Sequence, residues 1–158
     1  MEDMFATLIP MKVTTKIPCK KLNDNAILPT RGSEYAAGSD LYACLEKPKY
    51  IPAGHTVKIP TGIAIEIPTG YGGFIFARSG LATKEGLRPA NCVGVVDSDY
   101  RGEVIVALYN DSLGDKIVEP GERIAQIVVM PYVDCEYEET DNLSDTKRGK
   151  GGFGSSGK

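Results

Sequence analysis

The stretch Val57-Lys-Ile-Pro-Thr-Gly-Ile-Ala-Ile-Glu-Ile-Pro-Thr-Gly-Tyr-Gly-Gly73 decides the fold. Apolar side chains recur at every second position, Val57 and Ile59 and then Ile63, Ile65 and Ile67, which is the period of a strand with one buried face. Each run is closed by Pro-Thr-Gly, at 60–62 and again at 68–70, and Gly72-Gly73 follows. Proline and glycine supply turn geometry that element interiors do not tolerate. Outward from this stretch the same alternation appears at Val104, Val106 and Leu108, and the same punctuation at Pro-Ala-Gly 52–54 and Pro120-Gly121. Breaks arrive about every ten residues, which leaves little room for helices of ordinary length. The expected fold is all-β, a barrel or sandwich-like body. The one short helical candidate runs from Leu81 to Leu87, closed early by Gly86 and Pro89.

At 158 residues the chain is expected to form one domain, large enough to remove roughly 68–70% of its unfolded surface from water. With 42% hydrophobic and 25% charged residues it is neither disordered nor collagen-like as a whole. A net charge of −3 removes any general electrostatic case for a protein that coats nucleic acid or lies on a membrane. The amino terminus carries Glu2 and Asp3 where a secretory signal places positive charge. The strongest apolar run, Ile124 to Met130, is short and contains Gln126. Cys19, Cys44, Cys92 and Cys135 lie far apart, with only His55 as an imidazole ligand, so zinc is not expected and reduced thiols are. These features point to a soluble cytoplasmic protein, nuclear also if the source is eukaryotic, with no nucleic-acid or membrane partner.

The β body is expected over 1–137. Residues 138–158 form an arm that ends Arg148-Gly-Lys-Gly-Gly-Phe-Gly-Ser-Ser-Gly-Lys158 and has too few apolar side chains for a core of its own. Gly152-x-x-x-x-Gly157-Lys158 superficially fits a phosphate loop, but such a loop needs a Ser or Thr after the Lys and a helix to follow. What remains is a strip with Arg148, Lys150, the Phe153 ring, Gly154 and the Ser155 and Ser156 hydroxyls. Such a strip could close over a nucleotide, the ring stacking on a base and the polar groups reaching phosphates.

Four further segments carry candidate chemistry. Arg78-Ser79-Gly80 follows the apolar run Phe74 to Ala77. A guanidinium, a hydroxyl and an approachable backbone N–H suit phosphate oxygens, although alone the tripeptide reads first as a surface turn with an exposed arginine. Asn91-Cys-Val-Gly94-Val95-Val96-Asp97-Ser-Asp-Tyr100-Arg-Gly102 delivers two carboxylates and a tyrosine into a loop before the next strand. These carboxylates could act as general bases or hold hydrated cations; the bland alternative is a hairpin turn in which Asp97 and Asp99 bond backbone N–H groups. Asp40, in Ala36-Ala-Gly-Ser-Asp40-Leu, reads by itself as a turn cap. Gln126, an amide among apolar neighbours, must find a partner or be desolvated at a cost of about 1–3 kcal/mol.

Taken in order, Ala-Gly-Ser-Asp-Leu, Ala-Arg-Ser-Gly-Leu-Ala, Asn-x-x-Gly-Val-Val-Asp-Ser-Asp-Tyr-Arg-Gly, Gly-Glu-Arg-Ile-Ala-Gln and Arg-Gly-x-Gly-Gly-Phe-Gly-Ser-Ser-Gly closely resemble the trimeric deoxyuridine triphosphate nucleotidohydrolases, the dUTPases. The resemblance runs from about Ala36 to Gly157. It implies a β-jelly roll of the β-clip type in a threefold homotrimer whose active sites are assembled from three subunits. It further implies Mg-dependent hydrolysis of dUTP to dUMP and pyrophosphate, which supplies dUMP for dTTP synthesis and keeps uracil out of DNA. Asp97 would activate the attacking water, and Tyr100 would pack under the sugar and leave no room for a 2′-hydroxyl. Asn91, Gly94, Val95, Val96 and Ile105 would contact the uracil, largely through backbone groups. Arg78, Ser79, Gly80 and Gln126 would bind phosphates, as would Arg148, Gly154 and Ser155 of the arm, with Phe153 over the base. Asp40 would hold magnesium through water while the triphosphate supplies the direct ligands. Two rivals are a dCTP deaminase, which shares the jelly roll, and a non-catalytic nucleotide sensor. The loop from Asp97 to Tyr100 and the Phe153 tail favour the hydrolase over the first, and an intact Asp97 argues against the second.

Overall fold

The computed structural model describes residues 15–152, and the all-β expectation holds across them. Twelve strands follow one another: β1 (Cys19–Lys21), β2 (Thr30–Arg31), β3 (Ser39–Tyr42), β4 (Lys49–Ile51), β5 (Thr56–Pro60), β6 (Ile63–Ile65), β7 (Tyr71–Phe76), β8 (Leu87–Pro89), β9 (Gly94–Val96), β10 (Ile105–Asn110), β11 (Lys116–Val118) and β12 (Arg123–Pro131). The short helical candidate is present as a π-helical turn, Leu81–Glu85, which Gly86 ends with φ of 70° and an N–H on the Leu81 carbonyl. No helix among the described residues is long and apolar enough to cross a membrane.

All pairings are antiparallel. The largest sheet has the order β2-β3-β12-β7-β9; β5-β10-β8, β1-β6 and β11-β4 complete the body. The period read from the sequence is visible in β10, where Val106, Leu108 and Asn110 point inward while Ile105 stays exposed. In β12 strict alternation fails, because the consecutive residues Ile124 and Ala125 are both fully buried. A register shift against β3 lies between Arg123 and Ala125, and a β-bulge of this kind sends neighbouring side chains to one face.

The core gathers Leu41, Ile51, Ile59, Ile63, Ile67, Leu87, Leu108, Val118 and Ile124 from nearly every strand. Each such side chain contributes on the order of 1.5–3 kcal/mol through burial. Two polar residues lie inside with them. Thr61 donates its hydroxyl to the Val104 carbonyl at 2.5 Å. Asn110 donates to the carbonyls of Ile51 and Gly114 and accepts from the Ser112 N–H and hydroxyl. Among the described residues no buried side-chain polar atom lacks a partner. All four cysteines are unpaired, and burial pushes the Cys19 and Cys44 thiols up. After Pro131 no strand or helix occurs among the described residues, and residues 132–150 are exposed throughout.

Candidate functional site

Three segments distant in sequence meet at one end of the large sheet. In the β3–β12 ladder Asp40 lies directly opposite Gln126, and in the β12–β7 ladder Gln126 lies opposite Phe76. The chain leaving β7 therefore carries Arg78 alongside both. Arg78 donates Nε to Asp40 Oδ1 at 2.9 Å and Nη1 to the Arg123 carbonyl at 3.1 Å. Arg123 donates its own Nη1 to Asp40 Oδ2 at 3.2 Å. Gln126 donates Nε2 to the Ala77 carbonyl at 2.9 Å, which settles the desolvation question the sequence raised. Ser79 and Gly80 are exposed where the chain enters the π-helical turn, and the Thr83 hydroxyl bonds the Ser79 carbonyl at 2.7 Å.

One carboxylate between two guanidiniums leaves this corner net positive, a setting suited to an anion. The Asp40 side chain is 13% exposed, so its ion pairs are only partly screened by water. A carboxylate has about four lone-pair sites, so Asp40 keeps acceptor capacity for a water beyond its two arginines. Among the described residues no group of three or more His, Cys, Asp or Glu side chains could hold a metal by itself. The donor set thus fits a hydrated cation that arrives with its own oxygen ligands, not a cation caged by the protein.

The second constellation is the hairpin between β8 and β10. The Cys92 N–H bonds the Pro89 carbonyl, Cys92 takes φ of 62°, and the Val93 N–H turns onto the Asn91 carbonyl at 2.6 Å. Gly94 and Val96 face inward from β9, whereas Val93, Val95, Tyr100 and Ile105 expose apolar surface close together in sequence. The turn after β9 is closed by the Tyr100 N–H on the Asp97 carbonyl at 3.2 Å and by Arg101 Nη1 on the Ser98 carbonyl at 2.7 Å. The side chains of Asp97 and Asp99 accept no hydrogen bond from the described residues, so the bland reading of both as turn caps does not hold. Tyr100 donates its hydroxyl to the Glu103 carbonyl at 2.9 Å, and its ring lies where a β-carbon on Gly102 would have to sit. Glu103 in turn accepts the Gly62 N–H at 2.7 Å, tying the hairpin base to the β5–β6 turn.

Within one chain these two constellations stand apart. Val96 pairs with Gly73, so Asp97 emerges beside the first residues of β7, whereas Asp40 and Gln126 align with its last residue, Phe76, and Arg78 lies beyond. From Gly72 to Arg78 the backbone advances by about 20 Å of extended chain. A groove of about 750 Å³ between Ile17, Leu28, Ile65, Tyr71 and Val129 contains none of the candidate residues. Arg148 bonds Gly151 within the arm through Nε at 2.8 Å. Phe153, Gly154 and Ser155 lie outside the described residues.

Sequence reasoning missed Arg123 and Glu103 as contributors. Arg123 stood in a quoted segment, and a cation at the start of an apolar strand was the available signal. Glu103 carried no signal, because its role depends on Gly62 across the fold.

A dUTPase family model matches residues 24–157. A deoxyuridine 5'-triphosphate nucleotidohydrolase of Acinetobacter baumannii is 42% identical over 149 residues, covering 94% of this chain and 99% of the relative. The structure is similar to that of the Staphylococcus bacteriophage 80alpha dUTPase solved with dUPNHPP, at a TM-score of 0.83 and 29% identity, covering 91% of this chain and 99% of that one. It also has the fold of a mutant dUTPase from phage phi11 of S. aureus, described with a structural Mg(II) ion, at a TM-score of 0.74 and 21% identity, covering 82% of this chain and 99% of that one.

Proposed function

Because the chain belongs to the dUTPase family and carries its all-β jelly-roll body, we propose that it is a hydrolase that converts dUTP to dUMP and pyrophosphate. The observation that carries this reading is the convergence of Asp40, Arg78 and Gln126 on one sheet end, with an unengaged Asp97 in the hairpin. The corner supplies a cationic seat for phosphates; the hairpin supplies an apolar seat for a base and sugar. In-line attack at the α-phosphorus needs positioning and charge neutralisation more than covalent help. Asp97 takes a proton from water, the water oxygen bonds the α-phosphorus, and the bond to the oxygen bridging α and β breaks to release pyrophosphate.

Tyr100, held by its hydroxyl on Glu103, sits under the sugar and crowds a 2′-hydroxyl. Backbone groups between Asn91 and Ile105, with Val95 and Val96, read the uracil edge; a cytosine would leave buried donors and acceptors unpaired, the larger penalty compared with a thymine methyl. Arg78, Ser79, Gly80 and Gln126 hold phosphates. Magnesium bound to the triphosphate would neutralise phosphate charge, with Asp40 accepting from its water shell. The arm, 138–158, closes the site with Arg148, Phe153, Gly154 and Ser155, while 1–137 forms the body.

The separation of Asp97 from Arg78 supports a homotrimer, in which the hairpin of one subunit meets the phosphate corner of a neighbour and the arm comes from a third. Four unpaired thiols and bacterial relatives support a cytoplasmic setting.

The test is pyrophosphate release from dUTP, UTP, dTTP and dCTP, with and without magnesium. Release from dUTP alone and only with magnesium is expected; ammonia release from dCTP, or inertness toward dUTP, overturns the reading. Shared sites predict that a mixture of Asp97→Asn and Arg78→Ala subunits regains activity that neither has alone, through sites that combine an intact hairpin with an intact corner. Full activity in a stable monomer overturns the shared-site arrangement.

A further inference from the structure

Arg123 has no role in the reading above, yet it touches both ends of the phosphate corner. The β12–β7 register would place Arg123 opposite Ser79, but β7 ends at Phe76. The Arg123 carbonyl therefore has no ladder partner on that side, and the Arg78 guanidinium takes it through Nη1 at 3.1 Å. The bulge between Arg123 and Ala125 lies at this point, and bulges re-aim a residue at the cost of regular pairing. Meanwhile the Arg123 side chain holds Asp40 Oδ2 at 3.2 Å, and Asp40 Oδ1 holds Arg78 Nε at 2.9 Å. Two nitrogens of Arg78 are thus anchored through one residue, directly and by way of Asp40. Nη2, with both its N–H groups, has no bond to the described residues. The second guanidinium also keeps the corner net positive, which an Arg78–Asp40 pair alone would not.

We propose that Arg123 is a positioning residue that presets Arg78 for the triphosphate, its carbonyl fixing Nη1 and its side chain fixing Asp40. This rests on Arg78 being a phosphate ligand, as proposed above. Its consequence is selective: loss of the Arg123 side chain weakens the phosphate half of the substrate and leaves the base-and-sugar half untouched.

The experiment measures dUpNHpp affinity by calorimetry and inhibition by deoxyuridine, which has no phosphate, in wild type, Arg123→Ala, Arg78→Ala and the double variant. Expected is a loss of about ten-fold in dUpNHpp affinity for Arg123→Ala, the scale of one charge-assisted hydrogen bond. Deoxyuridine inhibition should be unchanged, and Arg123→Ala should cost clearly less in the Arg78→Ala background than in wild type, because contacts that act as a unit are not additive. An equal loss in both backgrounds, or a matching loss of deoxyuridine inhibition, overturns the assignment. Where Arg123→Ala does not fold, Arg123→Lys is read in the same two backgrounds; failure of both to fold makes Arg123 structural and overturns it too. A wild-type protein that does not cleave dUTP fails the function and not this contact, so the two failures are separable.

Discussion

Gly38 lies so close to Gln126 that a β-carbon at position 38 would stand 2.7 Å from the Gln126 Oε1. The amide cannot turn aside freely, because its Nε2 is held by the Ala77 carbonyl. Gly38→Ala is therefore expected to push the Gln126 side chain out of the phosphate corner. Turnover of dUTP should fall by about ten-fold while stability changes by only about 1 kcal/mol, the cost of one surface-proximal hydrogen bond. Steady-state kinetics beside a urea melt check this, and unchanged kcat/KM would show that Gln126 takes no part.

Asp97 is exposed and its carboxylate accepts no bond from the described residues, so Asp97→Asn removes a base without disturbing packing. Pyrophosphate release should drop by roughly 10²–10⁴, the usual contribution of a positioned general base, with dUpNHpp affinity kept. Surviving turnover in this variant would move the base elsewhere.

Residues 132–150 are exposed throughout, and Arg148 bonds within its own segment. A chain truncated before Arg148 should fold and assemble with an unchanged melting temperature yet turn over dUTP on the order of 10²-fold more slowly, because closure of the site is lost. Failure of the truncated chain to fold would make the arm structural.

The Lys116 ammonium, hydrogen-bonded to Glu85 at 2.7 Å, holds the Glu85 carboxyl below its ordinary value, first through that bond and then through its charge. A carboxyl with a lowered folded value contributes stability that is complete above the ordinary carboxyl pKa, about 4.3, and that is lost as pH falls through the folded value. The difference in melting temperature between wild type and Glu85→Gln should be small and constant near neutrality, since the Glu85 side chain is about half exposed and its ion pair is screened by water. It should vanish in acid. A difference that persists at low pH would assign the effect to something other than ionisation.

Asn110 is fully buried and joins the Ile51 and Gly114 carbonyls to the Ser112 N–H. Asn110→Ala removes these side-chain bonds, leaving the Gly114 carbonyl only the Ser112 hydroxyl, and should cost about 2–4 kcal/mol, read from denaturant melts at fixed protein concentration. A cost under about 1 kcal/mol would mean that water replaces the amide.

The class of fold was legible in local pattern. Val57, Ile59, Ile63, Ile65 and Ile67 alternate because a strand turns its side chains to opposite faces, and Pro-Thr-Gly marks where the backbone must turn; both rules act over a few residues. The π-helical turn at Leu81–Glu85, ended by Gly86, was visible for the same reason. Candidate chemistry was legible as residue type: a guanidinium beside a hydroxyl, an aspartate after Val95-Val96, an amide inside Ile124 to Met130.

What tertiary structure alone decided was partnership. Asp40 meets Gln126 and Arg78 because β3, β12 and β7 are neighbours in one sheet, a pairing between segments 38 or more residues apart that no local period encodes. The bulge at Arg123, the tie from Glu103 to Gly62, and the placing of Asp97 and Arg78 at opposite ends of β7 belong to the same level. Hydrophobic alternation is a property of a segment and survives in the sequence; register and strand order come from minimising the free energy of all segments packed at once, and they exist only in the folded chain.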